Sequence, residues 1–407
     1  MFSNNFTSSK NVPVLLVPSG IWDAGETLGK YYGKVSPLPF KFISRKKVAL
    51  TKLTPWKRFL SAASSVWMLV HTLICCYLLA AAYAYRNENY TDNRNKKVAT
   101  FGLVYLSIYP LCMSGISFAI GFSPLVGPNV INPMEFFEKR LTELHYPNQS
   151  SQPSTSSIWL SPALKLLTWG VLVVPIILTP IFVLYDLDPL HVFLHCPQLP
   201  CPSWISLLLH LIRTLLLLPV ATELSKCTTT LLIVGLGVVG ACTKVMLELK
   251  SRMESPFVLY KMKLIQIYKE FQIWNVYLNT TFAYRAIPPL VFFGAGLMIL
   301  SSYGTIRMFH SAPGVLYPLM PGSGVLTLLF LVTLLPQGAR TFENSVIFLH
   351  TVKRCLINKY GRKREKVSKS LRPVGIMCGP FGMIGRKWTL KMAQTIPDYT
   401  ATLLLTM

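Results

Sequence analysis

The chain has 407 residues, enough for two or three soluble domains. Its composition excludes that organisation: 52% of residues are AVILMFWYC and only 14% are charged, against roughly 25% in an ordinary globular domain. A mean hydropathy of +0.44 with a net charge of +24 also excludes a secreted disulfide scaffold and a disordered tail, and describes basic segments set between apolar blocks.

A membrane helix needs about 20 largely uncharged residues to cross roughly 30 Å of hydrocarbon. In chain order, a basic segment over 1–58 precedes apolar spans at 59–85, 101–122 and 166–185. The stretch 204–243 is apolar but interrupted by Arg213, Glu223 and Lys226, with a break at Pro219; hydropathy leaves it as one long broken helix or two short spans. Within it, Glu223 and Lys226 stand three apart, where an ion pair lowers the cost of burying both charges. A linker over 244–285 follows, then spans at 286–306 and 314–339, a basic linker over 340–387 and a final apolar stretch over 388–407.

Loop charge fixes the count, because cytoplasmic loops are rich in Lys and Arg. Residues 1–58 hold ten basic residues against two acids, 244–285 seven against three, and 351–391 twelve against one. With all three on the cytoplasmic side, an even number of spans separates each from the next, so 204–243 counts once. The expected fold class is an all-α polytopic membrane protein with seven transmembrane helices, a cytoplasmic N-terminus and an extracellular C-terminus. The loop 86–97, with four basic residues and two acids, runs against the rule, and the loop 123–165 is balanced.

Several motifs carry no chemistry. Gly235, Gly237 and Gly240 match a dinucleotide fingerprint but lie inside a span, where small residues let helices approach. No nucleophile elbow, phosphate loop or cofactor motif appears, so the chain is expected not to be an enzyme. The nine cysteines show no zinc spacing. Cys196 and Cys201 share an extracellular loop, where a local disulfide and two free thiols both stay open. His191 and His195 sit four apart beside them, a loop pair more than a metal pair. Of four Asn-x-Ser/Thr sequons, at Asn5, Asn89, Asn148 and Asn279, only Asn89 faces the extracellular side in this topology and is the glycosylation candidate.

Two features point to function. In the linker, Leu264, Tyr268, Phe271, Trp274 and Leu278 recur at three- and four-residue spacing, an amphipathic helix over 258–278 that either packs on another helix or docks on the membrane surface. In the last helix, Thr395, Asp398, Thr402 and Thr406 fall on one face. A polar stripe in a membrane helix must meet protein or water, and an acid there marks a cation pathway when several copies form a ring. An inter-helix hydrogen bond, or an acid at the membrane interface, explains the same residues.

This layout resembles the arthropod gustatory/odorant receptor superfamily, as a divergent gustatory-like member. The resemblance covers nearly the whole chain: the basic N-terminal segment, seven spans, the helical linker, the long basic linker and an end within the last span. Tyr268-Lys-Glu-Phe-Gln-Ile-Trp-Asn-Val-Tyr-Leu-Asn279 also looks similar to divergent members. The gustatory branch ends in a Thr-Tyr pair, apolar residues and Gln-Phe; here Tyr399 and Thr400 reverse the pair and Thr406 stands where Gln is expected. The resemblance implies a ligand-gated cation channel of four like or related subunits in the plasma membrane. It places the last helix at the pore, with Leu403 to Met407 outermost and Asp398 deeper. It assigns 258–278 and 352–387 to a cytoplasmic anchor, and puts a small-molecule tastant or odorant among spans two to six. A G-protein-coupled-type receptor and a small-solute secondary transporter are the alternatives. The first needs the opposite orientation, and the second predicts internal repeats.

Overall fold

The computed structural model describes residues 15–33, 36–50, 54–84, 94–122, 125–144, 156–191, 203–254, 258–310, 314, 317–357 and 370–406. Asn5, Asn89, Asn148, His195, Cys196 and Cys201 lie outside the described residues. The described chain is helical apart from one small hairpin and short turns: α1 (Ser19–Tyr32), β1 (Lys41–Ile43), β2 (Val48–Leu50), α2 (Pro55–Ala84), α3 (Arg94–Phe122), α4 (Val126–Glu143), α5 (Ser156–Leu184), α6 (Ser203–Met253), α7 (Val258–Tyr277), α8 (Tyr284–Arg307), α9 (Leu319–Ile357) and α10 (Arg386–Thr406).

Two elements differ from the sequence expectation. The basic N-terminal segment is built structure. Ile21, Trp22, Ala24, Leu28 and Tyr32 form the buried face of α1, and β1 pairs antiparallel with β2 through Lys41–Leu50, Phe42–Ala49 and Ile43–Val48. Gly25 makes room for the hairpin, since a Cβ there would lie 2.9 Å from Phe42 Cγ. The Ser44 backbone N–H donates to Glu26 Oε2 at 2.8 Å, and bonding to Ser44 holds the Glu26 carboxyl below its usual range. The second difference is α4, inside the charge-balanced stretch read as a loop. It buries Val130, Met134, Phe137 and Leu141, a helical spacing that balanced charges and Pro128 and Pro133 obscure.

The stretch expected as a broken span is one unbroken helix. α6 runs 51 residues through Pro219 and continues past residue 243 to Met253, roughly 77 Å at 1.5 Å per residue. The linker helix α7 likewise runs into α8 through a π-helical turn at Leu278–Ala283. Among the described residues six runs are long and apolar enough to cross a membrane: Pro55–Ala81, Thr100–Phe118, Leu164–Leu184, Ser203–Met253, Lys261–Arg307 and Leu319–Cys355. The last helix, α10, falls short of that standard because Lys391, Asp398 and its threonines dilute its apolar content.

One end of the bundle is a dense core. It gathers α1, the hairpin, α4, α7, the far half of α6 and the end of α9, and buries Tyr268, Phe271 and Phe348 completely. The linker stripe is therefore a packing face: Leu264, Tyr268, Phe271, Trp274 and Leu278 are all buried. Two smaller clusters fill the rest, one where α6, α8 and α9 meet residues 376–384, the other between α2, α3, α6 and α8.

Candidate ligand pocket and last helix

Helices α3, α6, α8 and α9 line a cavity of about 60 Å³. Its walls are apolar, with Met113, Leu232, Phe293 and Phe330 among them. Its polar group is a pair across the gap: the Tyr109 hydroxyl and Thr228 Oγ1 lie 2.7 Å apart. Thr327, also in the wall, bonds its own helix at Ser323 O, 2.8 Å away. One turn beyond, Ser301 of α8 and Ser323 of α9 share a hydroxyl contact at 3.0 Å. A mostly apolar chamber with one convergent hydroxyl pair suits a small organic molecule carrying one polar group. No sequence motif marks these residues; Tyr109 and Thr228 are 119 positions apart, and only folding joins them.

The residues singled out in α6 meet a built environment. Lys226 Nζ lies 2.6 Å from Glu223 Oε2, with both side chains buried. Ser36 and Ser117 each donate to the Glu223 carboxylate at 2.6 Å, and Lys226 also donates to Ser36 Oγ at 2.8 Å. The pair thus ties the N-terminal segment and α3 to α6. Such full pairing is what makes a buried ion pair tolerable. At the other end of α6, Arg213 is buried against Asp188, bonds Asp186 Oδ1 at 2.9 Å and reaches Val183 O at 3.3 Å. His191 Nδ1 lies 2.8 Å from the same Asp186 oxygen. The chain end of α5 and α6 is therefore clasped by charge, which explains why Arg213 interrupts an apolar stretch. Among the described residues no group of three or more His, Cys, Asp or Glu is placed to hold a metal.

In α10, Trp388, Met392 and Ile396 pack against the cluster of α8, α9 and 376–384. Thr400 is its only buried residue. Asp398, Thr402 and Thr406 are exposed and Thr395 is half-buried. The threonine hydroxyls each donate one turn back, Thr395 to Lys391 O, Thr402 to Asp398 O and Thr406 to Thr402 O, at 2.8–2.9 Å. That satisfies the donors within the helix itself. Asn279, one of the sequons, is buried, donating to Gly375 O at 2.8 Å; its role is structural.

The long apolar helices define a multi-pass α-helical membrane protein. No protein family matches the sequence, and no curated protein is recognisably similar to it. The fold does have solved counterparts. The insect olfactory receptor OR5 from Machilis hrabei, in complex with eugenol, superposes with a TM-score of 0.58 at 10% identity, over 95% of this chain and 99% of the receptor chain. A second structure of that receptor gives a TM-score of 0.52 at 10% identity, over 94% and 96%. The chain therefore has the all-helical fold of this olfactory receptor over nearly its whole length, the fold class that the resemblance implies.

Proposed function

We propose that the protein is a chemosensory receptor of the arthropod gustatory/odorant superfamily, of gustatory type, acting as a ligand-gated cation channel in the plasma membrane. The observation that carries this reading is the end-to-end likeness to an olfactory receptor solved with a small organic molecule, joined to a chamber of matching chemistry in this chain. In the proposed mechanism, a tastant or odorant enters the α3–α6–α8–α9 pocket, its polar group competes for the Tyr109–Thr228 pair, and its body fills the apolar remainder. It binds the open arrangement better and shifts the population toward it.

Four like or related subunits bring their α10 helices around one axis, the seventh span. The uncovered face of α10 supports this, since a lone chain leaves Asp398, Thr402 and Thr406 without a neighbour. Asp398 then forms an acidic ring that favours cations. The proposed orientation has the N-terminus cytoplasmic and the C-terminus extracellular. It is supported by the dense core, in which Leu16 and Phe42, Leu249 and Tyr268, and Val352 and Leu371, one pair from each of the three basic segments, lie at one end of the bundle. Anionic inner-leaflet lipid suits that end.

Expression in a cell without other receptors, with current recording against a panel of volatile and soluble organic molecules, tests the reading. The expected result is a ligand-evoked cation current whose reversal potential moves in Asp398→Asn. Current unchanged by that substitution removes α10 from the pore; surface protein silent to the panel, alone and with related subunits, removes the channel. Glycosylation at Asn89 with none at Asn5 is the expected topology result, and the reverse pattern overturns it.

A further inference from the structure

A second cavity of about 40 Å³ lies next to the first. Leu231, Leu290 and Phe330 line both and form the partition between them. The chemistry of the two differs. The first has hydroxyls in its wall; every residue lining the second is apolar or glycine. Nothing there can hold water in place, and apolar cavities of this kind stay dry and take apolar guests. Gly338 lies in its wall, and a Cβ there would come no nearer than 3.7 Å to another side chain, so the void is not one that close backbone approach demands.

Its position matters more than its size. One part of the wall is the π-helical turn, through Phe282 and Ala283, and another includes Ile376 and Ile384. Those two isoleucines end a closed loop: Ile384 N–H donates to Ile376 O at 2.9 Å and Cys378 N–H to Gly382 O at 2.8 Å. Gly379 and Gly382 hold positive φ angles of 53° and 86° within it, which glycine adopts without strain. The π turn holds the loop directly, because the Met377 N–H donates to Asn279 Oδ1 at 3.0 Å. Two residues after Ile384, α10 begins at Arg386. A π turn in a helix is a common mark of a functional site, and this one, the loop and the start of the last helix share a single apolar void.

We propose that this chamber is a second small-molecule site, for hydrocarbons or halocarbons with no hydrogen-bonding group, and that its occupant acts on α10 through the 376–384 loop. The action on α10 rests on the channel reading above; occupancy of the chamber does not. A guest that presses Ile376 and Ile384 outward displaces the loop leading into α10, and one that fills the void without strain fixes that loop. Either way the helix responds to a molecule that never touches Tyr109 or Thr228.

The test uses the full-length protein in lipid nanodiscs, with its structure determined under xenon pressure and under argon. The expected result is xenon density between Val238, Phe282 and Leu334 that is lost in Gly338→Leu and kept in Tyr109→Phe. Ala283→Leu fills the same void from the other wall and replaces Gly338→Leu should that variant not fold. No density in the wild-type chamber, or density undiminished in a folded filled variant, overturns the site. Ligand-evoked current is then measured in xenon-saturated and argon-saturated solution. The expected result is a shift of threefold or more in the half-maximal ligand concentration, absent in the filled variant. Density in the chamber without a shift overturns the action on α10, and a protein with no current at all overturns the channel reading while the density decides the site.

Discussion

The two ends of the molecule are built by different rules. The dense core around α7 is like a soluble protein: Tyr268 stacks on Phe348 at 4.7 Å, Phe137 meets Phe271 edge-on at 5.5 Å, and the irregular chain at 372–377 is bonded throughout. Gly375 N–H donates to Asn275 Oδ1, Val374 N–H to Ser345 Oγ and the Tyr268 hydroxyl to Arg372 O, at 2.7–3.2 Å. Several of the other helices are little covered by the rest of the chain. Of the most apolar stretch of α5 only 22% is buried, and of α9 only 17%, against 61% for α6. Both cavities described above lie between these helices. The contrast separates a part that fixes the fold from a part with room around its helices, with α6 common to both.

Phe271→Ala tests the fixed part and has the largest expected effect, about 3–5 kcal/mol for a fully buried aromatic. The measurement is thermal unfolding of the solubilised protein; an unshifted transition would erase the distinction between the two ends. Next is Lys226→Met, which strands the buried Glu223 charge and costs about 3 kcal/mol. Glu223→Gln combined with Lys226→Met restores most of that stability, and a double variant no better than the single one would show that the pair does not act as a unit.

Tyr109→Phe belongs to the adaptable part. It removes one hydroxyl contact, about 1 kcal/mol, so the half-maximal ligand concentration moves roughly fivefold while thermal unfolding shifts far less than in Phe271→Ala. A lowered unfolding temperature with unchanged ligand response would reassign Tyr109 to the scaffold. The smallest effect is at Ser44. Bonding to Ser44 lowers the Glu26 pKa, so its stabilisation is present above about pH 4.3 and is lost as pH falls through the lowered folded value. Ser44→Ala removes the side-chain share of that bonding and keeps the backbone N–H; it should cost a few tenths of a kcal/mol near neutral pH at this solvent-exposed site and nothing at pH 2. A difference that grows in acid would reverse the sign.

Legibility in the sequence follows the same division. The α7 stripe is readable because its face meets a dry core, so five residues at helical spacing all turn up buried. The α10 stripe is readable for the opposite reason, since a polar residue in an apolar helix stands out. The Glu223–Lys226 spacing is local and shows in the sequence, yet Ser36 and Ser117, its other partners, are brought in from 187 and 106 positions away. The pocket is invisible, because its walls are the residues any span contains and its one polar pair joins distant helices. Arg213 read as an interruption; its partners Asp186 and Asp188 lie across a connection with no fixed spacing. α1 and α4 do carry helical spacing, but charge dominates the reading of both stretches.

The unbroken length of α6 has a mechanical consequence. A rod of roughly 77 Å is more than twice the thickness of a hydrocarbon layer, so it behaves as a lever with its load on both sides. A tilt of about 5° displaces one end by about 7 Å relative to the other over that length. Arg213 grips the rod near one end, the aromatic core clamps the other, and Thr228 faces the pocket between them. The one weakened joint is Pro219, where a backbone hydrogen bond is missing. A push at the pocket therefore bends the lever at that joint or swings it against its clamp, and the stiffness of Pro219 sets how the stroke is divided.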